Sequence, residues 1–185
     1  MNKFNSMFGQ VLQIFSKKDF YSAVKDTGAE KGAKGFSSWD QFVSMLFCHL
    51  GQARSLREIS GGLASCFGKL KHLGIKDAPS RSTLSYANSK RPWQLYEAVF
   101  YQLLGKVRAV APGKKKFRFR NKLFSLDASL IELCLSLFDW ATYHQTKGAV
   151  KLHLLLDHDG YFPVFARITD GLTHEMKVAR DLSFP

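Results

Sequence analysis

Acidic residues are scarce in this chain. Against 27 lysines and arginines stand 15 aspartates and glutamates, a formal charge of +12 over 185 residues. Self-repulsion of that size weakens a compact state unless a partner or solvent offsets it, and nucleic acid is the commonest such partner. An anionic membrane surface is disfavoured, because no basic amphipathic helix with a clean apolar face stands beside the charge. Cysteine is also sparse: Cys48, Cys66 and Cys134 are odd in number and lack Cys-x-x-Cys spacing, so neither a disulfide framework nor a zinc site is indicated. Long hydrophobic runs are missing. Phe42 to Leu50 is the most apolar helix-like stretch, broken by Ser44 and His49 and far short of the roughly 20 residues that span a bilayer. No uninterrupted apolar segment follows Met1, so a cytoplasmic protein without a secretory signal is expected. Gly61-Gly62 and the glycines from Gly32 to Gly35 do not run into Gly-Lys-Ser or Gly-Lys-Thr, and Gly-x-Ser-x-Gly is absent, so no nucleotide cofactor or serine hydrolase is implied.

What is present begins with helices. Phe4, Met7, Phe8, Val11, Leu12 and Phe15 form an i, i+3, i+4 stripe, and a second short helix is expected over Asp19 to Val24. Asp26 to Gly35, with three glycines and alternating charge, reads as a loop. Ser38 with Gln41 three residues on suggests a capping box, ahead of a helix lined by Trp39, Phe42, Val43, Leu46 and Leu50. From Ala53 to Cys66 a helical pattern meets Gly61-Gly62. Adjacent glycines cost about 1 kcal/mol each relative to Ala in a helix interior, so a bend or an end is expected there.

Pro79-Ser80-Arg81-Ser82-Thr83-Leu84 looks like a helix start, with Ser80 or Ser82 able to cap. That helix carries Arg81, Ser82, Tyr86, Asn88, Lys90 and Arg91, side chains suited to phosphates and base edges. Three readings stand: a helix–turn–helix with Leu56 to Leu63 as support, another small helical DNA-binding bundle, or a structural helix with a solvated face. The long connection weighs against the first. Trp93, Tyr96, Phe100, Leu103, Leu104 and Val107 then stripe a long amphipathic helix to Val110.

Composition changes after Glu97. Lys106, Arg108, Lys114, Lys115, Lys116, Arg118, Arg120 and Lys122 occur before the next acid, Asp127, and Pro112-Gly113 marks a boundary. The expected division is residues 1–112 as a helical DNA-binding domain, 113–121 as a basic linker and 122–185 as the start of a second domain. A run of charge is usually a solvated segment. Here the interleaved Phe117 and Phe119 and the strand that follows favour phosphate contact.

That strand, Lys122 to Ser129, alternates, with Leu123, Ser125, Asp127 and Ser129 on one face and Phe124, Leu126, Ala128 and Leu130 on the other. After an irregular insert flanked by Glu132 and Asp139, Val150 to Leu156 and Tyr161 to Thr169 alternate around a turn at Asp157-His158-Asp159-Gly160. A helix follows near Thr173. The predicted class is therefore α+β: a helical N-terminal region, then three strands and a helix forming the first part of an RNase-H-like core.

A two-metal phosphodiester site needs carboxylates converging on two hard cations about 3.5 to 4 Å apart. Asp127, at mid-strand, is held rigidly enough to serve. Asp157, Asp159 and Asp170 have turn roles as the simpler explanation. His153 and His174 lack the context of a nucleophile or base.

The run Leu126-Asp127-Ala128-Ser129 through Asp139-Trp140-Ala141, then Thr146-Lys147-Gly148-Ala149-Val150-Lys151-Leu152-His153 and Ile168-Thr169-Asp170-Gly171 with His174, resembles the DDE-type transposases of bacterial insertion sequences, specifically the insertion-sequence-four family. Phe36 to Arg57 and Pro79 to Arg91-Pro92 are similar as well. The resemblance implies binding to double-stranded DNA, at element ends and target, and magnesium-dependent strand cleavage and transfer. Asp127 matches the first catalytic, metal-binding aspartate. The family's second aspartate, in an Asp-Arg-Gly-Tyr type motif, and its later glutamate match no position, so the chain looks like an N-terminal portion, inactive alone. Candidate DNA contacts are Lys114, Lys115, Lys116, Arg118, Arg120, Lys147, Lys151, Arg81, Lys90 and Arg91. The alternatives are a non-catalytic DNA-binding competitor, acting through shared sites or mixed oligomers, and a basic structural or RNA-binding protein. Homo-oligomerisation is compatible with either.

Overall fold

The computed structural model describes residues 7–66, 68–110, 122–133, 142–144 and 147–182. Its contacts divide the chain after Gly105 into two units, and each is α-helical or mainly β in turn. The basic stretch 113–121 lies outside the described residues.

The first unit holds α1 (Met7–Gln13), α2 (Lys17–Thr27), α3 (Ser38–Leu50), α4 (Leu56–Ala64), a 3-10 turn (Leu70–Leu73), α5 (Arg81–Lys90) and most of α6 (Gln94–Val110). Ser16, Ser37, Ser55 and Ser80 each open a helix by accepting an amide three residues on. The capping box of α3 is thus Ser37 with Asp40, one residue before the expected pair, because Asp40 reaches back to the Ser37 amide at 2.9 Å while Gln41 is buried in the core. Phe20 sits at the centre of an aromatic cluster, edge-on to Trp39 at 5.1 Å and tilted to Phe42 at 5.1 Å. Such pairs add about 0.5 to 1.5 kcal/mol each beyond the area they bury. Trp39 Nε1 donates to the Leu73 carbonyl at 3.1 Å, tying α3 to the 3-10 turn inside the core.

Two expectations are corrected here. Helix α4 runs unbroken through Gly61 and Gly62. A Cβ on Gly62 would stand 2.7 Å from the Phe47 ring, so the glycine permits α3 and α4 to approach, and the packing outweighs poor propensity. In α6 Leu104 is buried and Tyr96 packs on the core as expected, but Leu95 and Val99 join them, whereas Trp93 precedes the helix and is 65% exposed and Val107 is exposed too. A helix this rich in apolar residues offers two overlapping stripes, and the one taken puts Tyr96 beside Phe42, at 6.4 Å between rings.

The second unit is a four-stranded antiparallel sheet with β1 (Phe124–Leu133), β2 (Thr142–His144), β3 (Lys147–Asp157) and β4 (Phe162–Asp170), followed by α7 (Glu175–Arg180). The long strands form a meander with β3 in the middle, Asp127 facing Leu154 on β1 and Arg167 facing His153 on β4. The short β2, paired to the start of β3, occupies part of what reads in sequence as an irregular insert. The cap of α7 is His174, whose Nδ1 accepts the Met176 amide at 3.2 Å, in place of Thr173, which hydrogen-bonds Asp170 instead.

The two neighbouring glycines of α4 should respond in opposite senses. Gly61→Ala has open space around its new Cβ and should stabilise the chain by about 0.5 to 1 kcal/mol through helix propensity. Gly62→Ala must displace the Phe47 ring and should cost about 0 to 2.5 kcal/mol net, overpacking of about 1 to 3 kcal/mol set against the propensity gain. Urea denaturation of both variants checks the pair, and equal shifts would contradict the packing assigned to Gly62.

Candidate functional site

Helix α5 distributes its polar side chains among different tasks. Asn88, though exposed, accepts from the buried Gln41 amide at 2.6 Å, so its carbonyl oxygen is engaged within the fold. Arg91, just past the last turn, donates to the Ser37 carbonyl at 2.8 Å, to Gln41 Oε1 at 3.0 Å and to the Phe36 carbonyl, and its guanidinium lies 5.3 Å from the Phe36 ring centre. Its donors are committed within the fold. Arg81, Tyr86 and Lys90 are exposed, with Tyr86 67% accessible, an unusual surplus for a large aromatic. Between α4 and α5 lie sixteen residues that include the 3-10 turn, so the pair is not joined by the short turn of a standard helix–turn–helix.

In the sheet the register sorts the candidates by face. Ser125, Asp127, Ser129 and Ile131 share one face with Leu152, Leu154, Ala166 and Ile168. Asp127 is exposed, and its row across the sheet is Asp127, Leu154 and Ala166. Asp170 is on the same face, four rows along and two strands across, which is roughly 16 Å away from sheet spacings. It cannot share a metal pair with Asp127. Its Oδ1 instead accepts from the amides of Leu172 and Thr173 and from the Thr173 hydroxyl at 2.8 to 3.0 Å. Burial would raise the pKa of this carboxyl, but these hydrogen bonds, with Lys177, outweigh it and hold the group below its ordinary range. Asp157 Oδ1 accepts the Asp159 amide at 2.8 Å, a turn role. Among the described residues no group of three His, Cys, Asp or Glu could hold a metal ion. Asp127 thus stands without a second carboxylate near it on its face among the described residues, and these residues do not by themselves fit a two-magnesium centre.

The opposite face carries Lys151, His153 and Arg167, with α7 alongside: Lys151 Nζ donates to the Thr173 carbonyl at 3.0 Å, Arg167 pairs with Asp181 at 2.9 Å, and Val178 is buried. Lys151 is thus on the other side of the sheet from Asp127. Lys147 begins β3, and its side chain lies outside the described residues, as do Lys114, Lys115, Lys116, Arg118 and Arg120. His153 is fully buried, Nε2 sharing a hydrogen bond with Thr169 Oγ1 at 2.8 Å while Nδ1 has no partner. Burial first, then the Lys151 and Arg167 charges, push its pKa down, against a smaller opposing pull from Glu175.

Sequence reasoning did not anticipate the buried Gln41 or its bonds to Asn88 and Arg91. No spacing signal marks such a set, because its members are separated by about fifty residues. No helix among the described residues is long and apolar enough to cross a membrane. The family model described as a domain of unknown function (DUF4372) matches residues 3–76, from α1 through the 3-10 turn. No curated protein and no solved structure matches the chain.

Because the folded state lowers the His153 pKa, the unfolded chain takes up a proton first as pH falls. Stability should be undiminished by this group above the ordinary imidazole value of about 6.5 and should decline as pH drops below it. A neutral replacement, His153→Leu, should flatten that part of a melting-temperature profile from pH 8 to 5. A wild-type profile no steeper than the variant's would contradict the buried, neutral imidazole.

Proposed function

We propose that this chain is a portion of a DDE-type transposase of the insertion-sequence-four kind, in which a helical unit binds double-stranded DNA and the sheet begins an RNase-H-like catalytic core. The observation that carries the reading is the position of Asp127. It is an exposed carboxylate at the middle of the first strand of an antiparallel β1–β3–β4 meander that is followed by a helix, in the motif run that resembles the family. The net charge of +12 supports a polyanionic partner.

In the intact enzyme, water would hydrolyse a DNA strand at the element end and the freed 3′ hydroxyl would displace a bridging oxygen of a target phosphodiester; magnesium, held by Asp127 together with further carboxylates, would supply Lewis acidity. From this chain, Asp127 would contribute one metal-ligand position, held by the β1–β3 ladder in which it faces Leu154. Its cationic residues grip phosphates. The lone carboxylate also favours a second reading, a DNA-binding protein that occupies the enzyme's sites without performing the chemistry.

The purified chain should bind duplex DNA with an affinity that falls steeply with salt, a log–log slope of about −3.6 or steeper if four or more phosphates are neutralised. Asp127→Ala should leave that binding within about twofold, because a single exposed carboxylate contributes little to a surface of this charge. Supercoiled plasmid incubated with the chain and magnesium should remain unnicked. Nicking that Asp127→Ala abolishes would favour the catalytic reading, and nicking that survives the substitution would remove Asp127 from the site. Failure to bind duplex at low salt, or a clear preference for single-stranded RNA, would overturn the DNA reading altogether.

A further inference from the structure

We infer that the groove between the loop at residues 28–36 and helix α5 is a seat for the phosphate backbone of duplex DNA. The inference rests on the DNA-binding reading above and assigns it to a place. The groove has a volume of about 640 Å³ and one wall made by Thr83, Tyr86 and Lys90, which recur along a single face of α5. The facing wall is the loop, with Lys31 and Lys34.

Its charge is of one sign. Lys31, Lys34 and Lys90 are exposed, and among the described residues they form no ion pair and no acidic residue lines the groove. The nearest acid in sequence, Glu30, is drawn to the Ser38 amide at 2.6 Å. Three lysines lining one groove with no acid among its lining residues favour a bound anion, which would offset their like charge.

The wall is also already ordered. Gly28, Gly32 and Gly35 take φ of +64°, +75° and +79°, a left-handed backbone that lets the loop double back. Arg91 fixes its far end through the Phe36 and Ser37 carbonyls. A ligand therefore meets lysines on a fixed frame and does not bear the cost of ordering the loop.

The same features choose the ligand. None of the three ammonium donors is buried, so an isolated phosphate gains little over its hydration in water. A polyanion gains at every contact, because each neutralised phosphate of duplex DNA releases a condensed counterion. The exposed Tyr86 hydroxyl can donate to a backbone oxygen between such contacts.

Duplex binding by the full chain, followed by fluorescence anisotropy across a salt series, tests this with Lys31→Gln, Lys34→Gln and Lys90→Gln combined. The expected result is weaker binding and a log–log salt slope shallower by about 2.7, or 0.9 for each lysine. Neutralising Lys114, Lys115, Lys116, Arg118 and Arg120 should remove a separate share of the slope. Lysine acetylation of the unmutated chain supplies a readout that does not depend on the variant's folding: duplex should protect Lys31, Lys34 and Lys90. If the chain binds duplex but the triple variant keeps the full slope, or the three lysines acetylate equally with and without DNA, the groove is overturned while the DNA reading stands. If the unmutated chain does not bind duplex, both fall together.

Discussion

The helical unit depends on where the Arg91 guanidinium goes. Burial lowers the pKa of this group, with Glu30, Tyr96 and Asp40 pulling the other way. The charge is accommodated because its donors meet the Phe36 and Ser37 carbonyls and the Gln41 side chain. A guanidinium has only donors and a carbonyl only accepts, so three of its five N–H groups meet acceptors that the fold supplies. Hydrogen bonds to a charged group contribute about 1.5 to 3 kcal/mol each, more than neutral ones. The consequence is architectural: Gln41, buried on α3, passes the link on to Asn88 on α5, and the end of the 28–36 loop, the start of α3 and both ends of this network are held in one arrangement. A lysine could not replace Arg91 there, because a point charge lacks the planar fork that reaches three acceptors at once.

The sheet solves a different problem by keeping two chemistries on opposite faces. Alternation puts Asp127 and its flanking serines on one side and Lys151, His153 and Arg167 on the other. Direct neutralisation of the carboxylate by those cations is excluded by geometry, since a strand cannot turn one residue through 180° without moving every other. Asp127 stays exposed, directly opposite Leu154 and diagonal to Leu152, on a face that further across carries a 62% exposed Ile168. An acid against half-exposed apolar residues suits a surface that other protein or ligand atoms cover better than it suits a surface designed for water.

Much of this was legible in the sequence, for reasons specific to each element. Period-two alternation located β1, β3 and β4 within a few residues because both faces differ in polarity. Serine caps located α3 and α5 to within a residue. Gly61-Gly62 misled because propensity is a local quantity, whereas the reason for Gly62 is the Phe47 ring on another helix. Trp93 misled because size and hydrophobicity alone placed it in a stripe that begins one residue too early. Arg91 looked like a phosphate ligand and is largely a structural donor, since nothing local distinguishes an arginine that will find carbonyls fifty residues away. Lys31 and Lys34 read as loop charge for the same reason: their meaning comes from the helix opposite.

These contrasts separate two kinds of positive charge in one chain. Arg91 is neutralised in its effect by dipoles that the fold supplies, and removing it acts on stability. Lys31, Lys34 and Lys90 have no such partners among the described residues, so the fold gains nothing from their charge and loses a little to mutual repulsion. Stability alone gives no reason for placing three uncompensated cations around one groove when acids could be interspersed. On the DNA-binding proposal, the arrangement is a cost borne in the free protein that a polyanion would offset, most effectively where the cations stand on a frame already fixed by Arg91.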